Sequence, residues 1–280
     1  MCRVRLHARC EYGPGHHRRS VRRGLLRRVR REVEGSAPVS EAMTAEAFRA
    51  LHTSGTPLVL FNIWDAGSAK AVAMRGAKAI ATSSWSVAAA HGFVDGERIP
   101  VELAIDNLRR IVCATALPVT VDLESGYGDV GETIALAIKA GAVGCNLEDS
   151  RPADGSLWEI AEHCARIREA RRSADAAFFI NARTDVFLQP GDDQMGAAIA
   201  RARAYAAAGA DGIFAPGLED KALILQLVEA SPLPVNIMVG DRTPTLRELA
   251  AIGVARVSHG PRPYVLAMQA LEAAARAATA

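Results

Sequence analysis

The chain has 280 residues, of which 50% are hydrophobic and 23% are charged, and its formal net charge is +2. This composition predicts a folded protein with a sizeable core, and it excludes a collagen, a disordered chain and a disulfide scaffold. No run of about 20 apolar residues occurs, so the sequence predicts no membrane span. Five scattered cysteines, none in a paired metal-binding spacing, favour reduced thiols and a cytoplasmic location.

The basic residues are concentrated near the N-terminus, where residues 16–31 read HHRRSVRRGLLRRVRR. A nucleic-acid-binding arm and a transit peptide are two interpretations of this segment. We favour a third, in which residues 1–42 form an Arg-rich tail that is disordered or dispensable. The working domain then spans residues 43–280 and begins MTAEAFRALH, with Thr44 suited to cap a helix. This domain is mildly acidic, which argues against nucleic acid as a partner.

From Pro57 onward, short apolar segments alternate with longer segments of helical periodicity, and Gly or Pro marks most junctions. The predicted strands span residues 58–63, 77–83, 118–124, 142–149, 177–183, 210–216, 234–239 and 255–260. The predicted helices span residues 67–75, 100–114, 130–140, 157–172, 193–208, 220–230, 245–252 and 264–280. A loop separates the second strand from its helix.

Eight strand–helix units predict an α/β fold with a single (β/α)8 barrel, the TIM barrel. Gly141 and Gly209 stand at equivalent helix-to-strand junctions, where glycine commonly terminates a helix. An open, doubly wound sheet is the alternative architecture. Its usual G-x-G-x-x-G turn is missing, because the first turn here reads WDAGSAK. We therefore favour the barrel.

Polar residues follow the predicted strands at their carboxyl ends, where barrel enzymes place their chemistry. The residues found there include Asn62, Ser83, Ser84, Trp85, Asp122, Glu124, Asn146, Glu148, Asp149, Asn181, Arg183, Asp185, Asn236, Ser258 and His259. The beginnings of the strands carry mostly Ala, Val, Pro and Phe. One rim of the barrel is thus predicted to hold the active site.

Three of these rim residues are candidate metal ligands. Asp122 and Glu124 are two apart on one predicted strand, so their side chains should point the same way, and Glu148 ends the next strand. Without an adjacent lysine, three such carboxylates repel one another unless a cation neutralises them, and hard oxygen ligands suit Mg²⁺ or Mn²⁺. The alternative is that a carboxylate caps a helix or pairs with an arginine, which we prefer for Asp129 and Asp149.

Arg183 is the candidate anion-binding residue, because its planar fork suits a substrate carboxylate or phosphate. An ion pair with Asp185 or Glu148 is the alternative. His91 and His259 lie near the rim, but a structural role suits both better than a catalytic one. No Ser-His-Asp order, phosphate-binding loop or zinc spacing competes with this interpretation.

The segments FNIWDAGSA, TSSWSVAAAHGFVDG, VDLESGYGD, GCNLED, INARTD and AGADGIF occur in this order between about residues 45 and 270. Together they resemble the isocitrate lyase/phosphoenolpyruvate mutase superfamily, for which D-x-[DE]-x-G-Y-G followed by [NC]-[IL]-E-D is fairly specific. The resemblance implies a barrel whose last helix is exchanged between subunits, and therefore a homodimer or homotetramer.

The resemblance also implies site residues. It implies Mg²⁺ bound around Asp122, with Glu124 and Glu148 acting largely through water, and a loop aspartate, Asp95, that closes near the metal. For the substrate, a small carboxylic or keto acid, it implies contacts from one loop, one arginine and one amide. These residues are Ser83, Ser84 and Trp85 of the loop, the clamping Arg183, and Asn236.

The chain departs from the superfamily in the part of the site that identifies the leaving group. After the fourth strand it reads SRPADGSLWEI, without the K-[KR]-C-G-H loop of the isocitrate-type lyases or the K-x-N-S/T of members acting on phosphonopyruvate. Pro216 stands where mutases tend to have His, and Gly217 where lyases have Glu.

Three functions remain open at this point. The first is a Mg²⁺-dependent lyase or decarboxylase that acts on a 2-keto or 2-hydroxy carboxylic acid through a metal-stabilised enolate. The second is a phosphonopyruvate-type mutase or hydrolase, and the third is a catalytically weak keto-acid-binding protein.

Overall fold

The computed structural model describes residues 44–279, and the predicted tail, residues 1–42, lies outside the described residues. Its strands are β1 (Leu58–Leu60), β2 (Ile80–Ala81), β3 (Val119–Asp122), β4 (Gly144–Glu148), β5 (Phe179–Arg183), β6 (Gly212–Ala215), β7 (Val235–Met238) and β8 (Arg256–Ser258). Its helices are α1 (Ala45–Ala50), α2 (Ala66–Ala73), α3 (Ser84–Ala90), α4 (Val101–Cys113), α5 (Val130–Lys139), α6 (Ile160–Ser173), α7 (Gln194–Ala208), α8 (Lys221–Ala230), α9 (Leu246–Ala251) and α10 (Arg262–Thr279). A short 3-10 helix, Val186–Leu188, follows β5.

The strands form one parallel sheet in the order β1-β8-β7-β6-β5-β4-β3-β2. A parallel bridge between Ile63 and Thr82 joins the segments that follow β1 and precede α3. There the amide of Ile63 donates to the carbonyl of Ala81 at 2.8 Å. This bridge closes the sheet, so the predicted TIM barrel is confirmed and the open sheet is excluded.

Alternation along each strand separates the core from the site. On β4, Cys145 and Leu147 point outward into the main hydrophobic core, while Asn146 and Glu148 point into the barrel. Glu148 lies in register with Arg183 on β5. Because paired residues on neighbouring strands face the same side of a sheet, the pairing itself brings these two side chains together at the rim.

Helix α1 covers the opposite end of the barrel. The Thr44 side chain caps it by accepting from the amide of Ala47 at 3.3 Å, as predicted. Phe48 is fully buried and packs edge-on against Phe179, with ring centroids 5.8 Å apart. Burial of a Phe side chain stabilises a fold by about 2 kcal/mol. Gly144 permits this packing, since a Cβ there would lie 2.7 Å from the Phe179 carbonyl oxygen.

Two predictions about elements were wrong. Most strands are shorter than predicted, although β5 ends at Arg183 as predicted, and β3 stops at Asp122 because Glu124 adopts a left-handed backbone conformation with a φ of 51°. The loop predicted between the second strand and its helix contains α3. The predicted helix-terminating role of Gly209 is confirmed, since it ends α7 with a φ of 105°.

The last helix, α10, contributes little to the packing of its own barrel. Pro263 is its one buried residue, and Val265, Leu266 and Leu271 are exposed. None of the helices between residues 44 and 279 has the length and apolar character needed to cross a membrane.

Candidate active site

The predicted site residues lie at the carboxyl-terminal rim or in the segments that follow the strands, except for Asn236, which is the second residue of β7 and not its end as predicted. Asp122, Glu148 and Arg183 are the last residues of β3, β4 and β5. Ser83, Ser84 and Trp85 lie at the start of α3, and Asp95 lies in the loop before α4. Glu124 lies in the turn after β3, and Asn236 lies in β7.

Helix α3 brings the predicted substrate loop against the predicted metal ligand. It begins at an N-cap serine, Ser83, whose hydroxyl accepts from the amide of Ser86 at 3.4 Å, and it continues through an alanine-rich segment. The hydroxyl of Ser84 donates to Asp122 Oδ2 at 3.1 Å, and its amide lies 3.4 Å from the same oxygen. Trp85 remains 40% exposed beside the site and packs edge-on against Tyr264.

Glu124 ties the loop that carries Asp95 to the rim. Its Oε2 accepts from the amides of Gly96 at 2.8 Å and Glu97 at 2.6 Å. The Tyr127 hydroxyl donates to its Oε1 at 3.1 Å. The fixed loop places Asp95 close to Asp122.

Glu97 and Tyr127 complete this attachment, and the sequence interpretation missed both. Glu97 Oε1 accepts from the amide of Tyr127 at 2.7 Å, so the loop and the turn after β3 hold each other from both sides. Both residues adopt positive φ, 59° and 52°. The G-Y-G sequence around Tyr127 was the available signal, because flanking glycines commonly mark a turn that needs left-handed backbone.

The carboxylates of the rim raise one another's pKa. Burial, and next the charge of Asp95, raises the pKa of Glu124 to about 7. Burial, and next the charge of Asp122, raises the pKa of Asp95. Burial also raises the pKa of Glu148 well above its usual value, although Arg183 opposes the shift. The rim therefore favours the uptake of a proton or of a cation.

Arg183 forms ion pairs on both sides. Its Nη1 lies 2.8 Å from Glu148 Oε2, its Nε donates to Asp185 Oδ1 at 2.6 Å, and its Nη2 donates to Asp185 Oδ2 at 2.9 Å. Burial acts to lower the pKa of Arg183, but Glu148 and Asp185 outweigh it and raise the pKa. The ion-pair alternative considered for Arg183 is thus what the structure shows, and the two pairs orient the guanidinium at the rim.

Asn236 offers a free donor to the interior of the barrel. Its Oδ1 accepts from the Ser258 hydroxyl at 3.2 Å. Its Nδ2 is buried and finds no hydrogen-bond partner within the described part of the chain.

The three predicted metal ligands are near one another but engaged with protein groups. Asp122 accepts from Ser84, Glu124 from the loop amides, and Glu148 pairs with Arg183. No three His, Cys, Asp or Glu side chains among residues 44–279 are already arranged as a metal-binding cluster. The metal assignment of Asp122, Glu124 and Glu148 stays a prediction. Glu124 also reaches the rim from a turn and not from the strand that the sequence interpretation gave it.

The segment after β4 is a short closed hairpin. Ser150 and Leu157 form an antiparallel bridge, and the amide of Arg151 donates to the carbonyl of Ser156 at 2.7 Å. Asp154 Oδ1 accepts from the amide and the hydroxyl of Ser156, and these hydrogen bonds lower the pKa of its carboxyl. The guanidinium of Arg151 lies 4.5 Å from the centre of the Trp158 ring. None of these side chains is suited to donate a proton at neutral pH.

Several residues expected to be structural are so. Asp129 caps α5 by accepting from the amide of Glu132, and Asp149 pairs with Arg201 at 3.0 Å. His91 Nδ1 lies 2.9 Å from the Val87 carbonyl oxygen. His259 Nδ1 lies 3.2 Å from that of Leu60.

Two curated enzymes are similar to the chain over most of its barrel. The 2-methylisocitrate lyase of Escherichia coli (strain K12) is 34% identical over 228 residues, covering 75% of this chain and 76% of the enzyme. The oxaloacetate decarboxylase of Bradyrhizobium sp. (strain BTAi1) is 33% identical over 183 residues, covering 61% and 62%.

Two solved structures share the fold. A Burkholderia cenocepacia J2315 protein, provisionally named a phosphonomutase, is 59% identical with a TM-score of 0.81, over 84% of this chain and 99% of its own. A phosphonopyruvate hydrolase in complex with oxalate and Mg²⁺ is 25% identical with a TM-score of 0.74, over 85% and 88%. The model of the phosphoenolpyruvate phosphomutase family matches residues 48–279, which is the whole barrel from α1 to α10. The chain therefore belongs to this family, within the isocitrate lyase/phosphoenolpyruvate mutase superfamily, and is an enzyme.

Proposed function

We propose that the chain is a Mg²⁺-dependent carbon–carbon lyase or decarboxylase that acts on a 2-keto or 2-hydroxy carboxylic acid through an enolate. The observation that carries this proposal is the rim itself, where Asp95, Asp122 and Glu148 lie around the guanidinium of Arg183 and Glu124 lies beside Asp95 and Asp122. Such a rim combines an excess of hard oxygen donors for a cation with one fixed donor fork for a carboxylate.

The residues present fit a divalent cation. Asp122, Glu124 and Glu148 would hold it, directly or through water, and its charge would offset the burial and the neighbouring carboxylates that raise the pKa of the two glutamates. Oxygen donors of this kind suit Mg²⁺ and also Mn²⁺. When bound, the cation supplies positive charge that stabilises the negative charge developing on an enolate oxygen.

The chain's own side chains would bind and orient the acid. Arg183 presents two N–H groups in a fixed plane and would bind a substrate carboxylate. Ser84 directs its amide and hydroxyl at the same point of the rim, and the free Nδ2 of Asn236 would donate to a substrate oxygen. The Asp95 loop, held by Glu124, would cover the bound acid and exclude water.

Within this class we favour a decarboxylase. Cleavage of an isocitrate-type acid needs a proton donor near the departing fragment, and the hairpin after β4 offers only the charged Arg151, the ionised Asp154 and Ser156. Departing CO₂ takes no proton, so decarboxylation of a 2-keto diacid does not need that donor. The similarity to an oxaloacetate decarboxylase supports this choice, and the similarity to a 2-methylisocitrate lyase supports the broader class.

Steady-state rates with and without Mg²⁺ test the proposal. Oxaloacetate, methylisocitrate, a dimethylmalate-type acid and phosphonopyruvate would be compared at equal concentrations. We expect Mg²⁺-dependent loss of CO₂ from oxaloacetate and much slower methylisocitrate cleavage. Methylisocitrate turnover on the order of 10 per second would contradict our interpretation of the hairpin.

The same comparison decides between the alternatives. Turnover of phosphonopyruvate alone would favour the mutase or hydrolase, to which the similar hydrolase structure points. Binding of a keto acid without turnover of any substrate would favour a keto-acid-binding protein.

We propose further that α10 docks on a second copy of this chain, giving a homodimer or homotetramer. Each helix of a (β/α)8 barrel normally covers the outer face of the sheet, yet α10 stays exposed along nearly its whole length. An apolar groove of about 680 Å³ lies beside β1 and α2, lined by residues that include Val59, Phe61 and Val72. The exposed Leu266 and Leu271 of a partner's α10 would fill such a groove.

A further inference from the structure

A buried polar cluster lies behind the rim, on the outer side of the barrel. Asp149 follows β4 directly and is 0% exposed. Its Oδ2 accepts from the Tyr205 hydroxyl at 2.7 Å and from Arg201 Nη1 at 3.0 Å, both from α7. Arg201 Nη1 also lies 2.7 Å from the Tyr205 hydroxyl, so the three side chains form a closed set. We call Asp149, Arg201 and Tyr205 the rear cluster.

The rear cluster reaches Arg183 through one intermediate residue. The second oxygen of Asp149, Oδ1, accepts from the backbone amide of Asp185 at 2.9 Å. Asp185 is in turn the residue that holds Arg183 through two hydrogen bonds. The Ser150 hydroxyl donates to Asp185 Oδ2 at 2.7 Å and completes the support of that carboxylate. The orientation of Asp185 is thus fixed from behind by Asp149.

The same cluster holds the end of the hairpin after β4. Both terminal nitrogens of Arg201 donate to the Trp158 carbonyl oxygen at 3.0 Å. The amide of Trp158 donates to the Asp149 carbonyl oxygen at 2.8 Å. Two walls of the site, Arg183 and the hairpin, therefore depend on one buried carboxylate and its two partners.

We propose that Asp149 is a positioning residue, which orients Arg183 through Asp185 with the support of Arg201 and Tyr205. The inference rests on the proposed function in one respect, namely that Arg183 binds a substrate carboxylate. Buried hydrogen bonds between charged groups are strong and depend closely on geometry. A substitution in the rear cluster should therefore change the orientation of the Arg183 guanidinium. A small displacement of a binding group is enough to lower affinity or rate considerably.

The experiment uses the full chain and two variants. Asp149→Asn replaces the carboxylate that accepts from Arg201 and the Tyr205 hydroxyl by a neutral amide. Tyr205→Phe keeps the aromatic ring and removes the hydroxyl donor. Ile224→Val is the matched control, because Ile224 is fully buried in α8 and its apolar side chain takes no part in this hydrogen-bond network. The thermal midpoint, the oxalate affinity in Mg²⁺ and the hydrogen exchange of the Arg183 Nε–H group by NMR would be measured for each. Arg183→Lys identifies that resonance.

We expect Asp149→Asn to weaken oxalate binding by about tenfold or more and to speed exchange of the Arg183 Nε–H group. Tyr205→Phe should change both in the same direction and by less, while Ile224→Val should lower the thermal midpoint and change neither. Unaltered exchange and affinity in both variants, with a lowered midpoint, would overturn the inference and leave the cluster a purely structural one. Faster exchange in a protein that binds no oxalate even as wild type would support the positioning role and count against the proposed function.

Discussion

The Ser84 hydroxyl donates to Asp122 Oδ2 at 3.1 Å, so the predicted substrate loop and the predicted metal ligand are in direct contact. Helix α3, with Ser83 at its N-cap, fixes this contact from one side, and the end of β3 fixes it from the other. Anything bound at Asp122 is therefore placed within reach of Ser84.

We predict that Asp122→Ala removes Mg²⁺-dependent binding of oxalate or pyruvate while the fold is kept. The reason is that Asp122 is the candidate ligand at the centre of the rim, where its removal reduces repulsion among carboxylates. Isothermal titration in Mg²⁺ should show an affinity at least about 100-fold weaker. Asp129→Ala is the control, because this carboxylate caps α5 on the exposed side. An unchanged affinity in Asp122→Ala would rule out the metal assignment.

A chain that begins at Met43 should fold and bind ligand like the full chain. Every strand and helix of the barrel lies within residues 44–279, and the cap of α1 is provided by Thr44. The thermal midpoint should change by less than about 3 °C, which corresponds to roughly 1 kcal/mol for a domain of this size. A much larger fall in the midpoint would show that residues 1–42 contribute to stability.

The predicted exchange of α10 can be tested by mass. Leu271 is 61% exposed, and replacement by Glu should leave the barrel folded but disfavour an apolar interface. Light scattering after gel filtration measures the mass of the assembly. We expect the mass of a dimer or tetramer for the wild type and a lower mass for Leu271→Glu. Leu246→Glu, on the exposed surface of α9, should keep the wild-type mass. A monomeric wild type would contradict the proposal.

The partly buried His52 and the fully buried His163 should make the protein less stable in acid. His52 stacks on Phe179 with ring centroids 3.9 Å apart, and burial, then the charge of Arg256, lowers its pKa to about 3. Burial, then the charge of Arg166, lowers the pKa of His163 to about 3. An unfolded histidine titrates near pH 6.5. Between about pH 6.5 and 3 the unfolded chain therefore binds more protons than the folded one.

Stability should thus fall as the pH drops below about 6.5 and should gain nothing from these groups above it. Each histidine is expected to cost about 2 kcal/mol of unfolding free energy between pH 7.5 and 5. Urea unfolding at the two pH values measures this difference. In His163→Phe, which keeps an aromatic ring against Tyr205, the difference should be smaller by that amount. Equal differences in the variant and the wild type would refute the assignment to His163.

The barrel could be predicted from the sequence because short apolar segments alternate eight times with longer segments of helical periodicity. Polar residues at the carboxyl ends of the apolar segments indicate the rim, where Glu148 lies in register with Arg183. Helix α3 was missed although Ser83 and the alanines after it were a usable signal for a capped helix. Periodicity predicts a face but not a partner, so the contact between Asp149 and Arg201, 52 residues apart, required the structure.

The hairpin after β4 is held at its base, and its tip is exposed. The Ser150–Leu157 bridge closes its base, the guanidinium groups of Arg151 and Arg166 lie 4.5 and 5.0 Å from the centre of the Trp158 ring, and the turn at residues 153–155 is exposed. A replacement of that turn by a longer segment would leave both anchors in place. A proton donor could thus be introduced at this turn without a change in the rim residues. One scaffold of this kind is able to acquire new substrates by changes in a few consecutive codons.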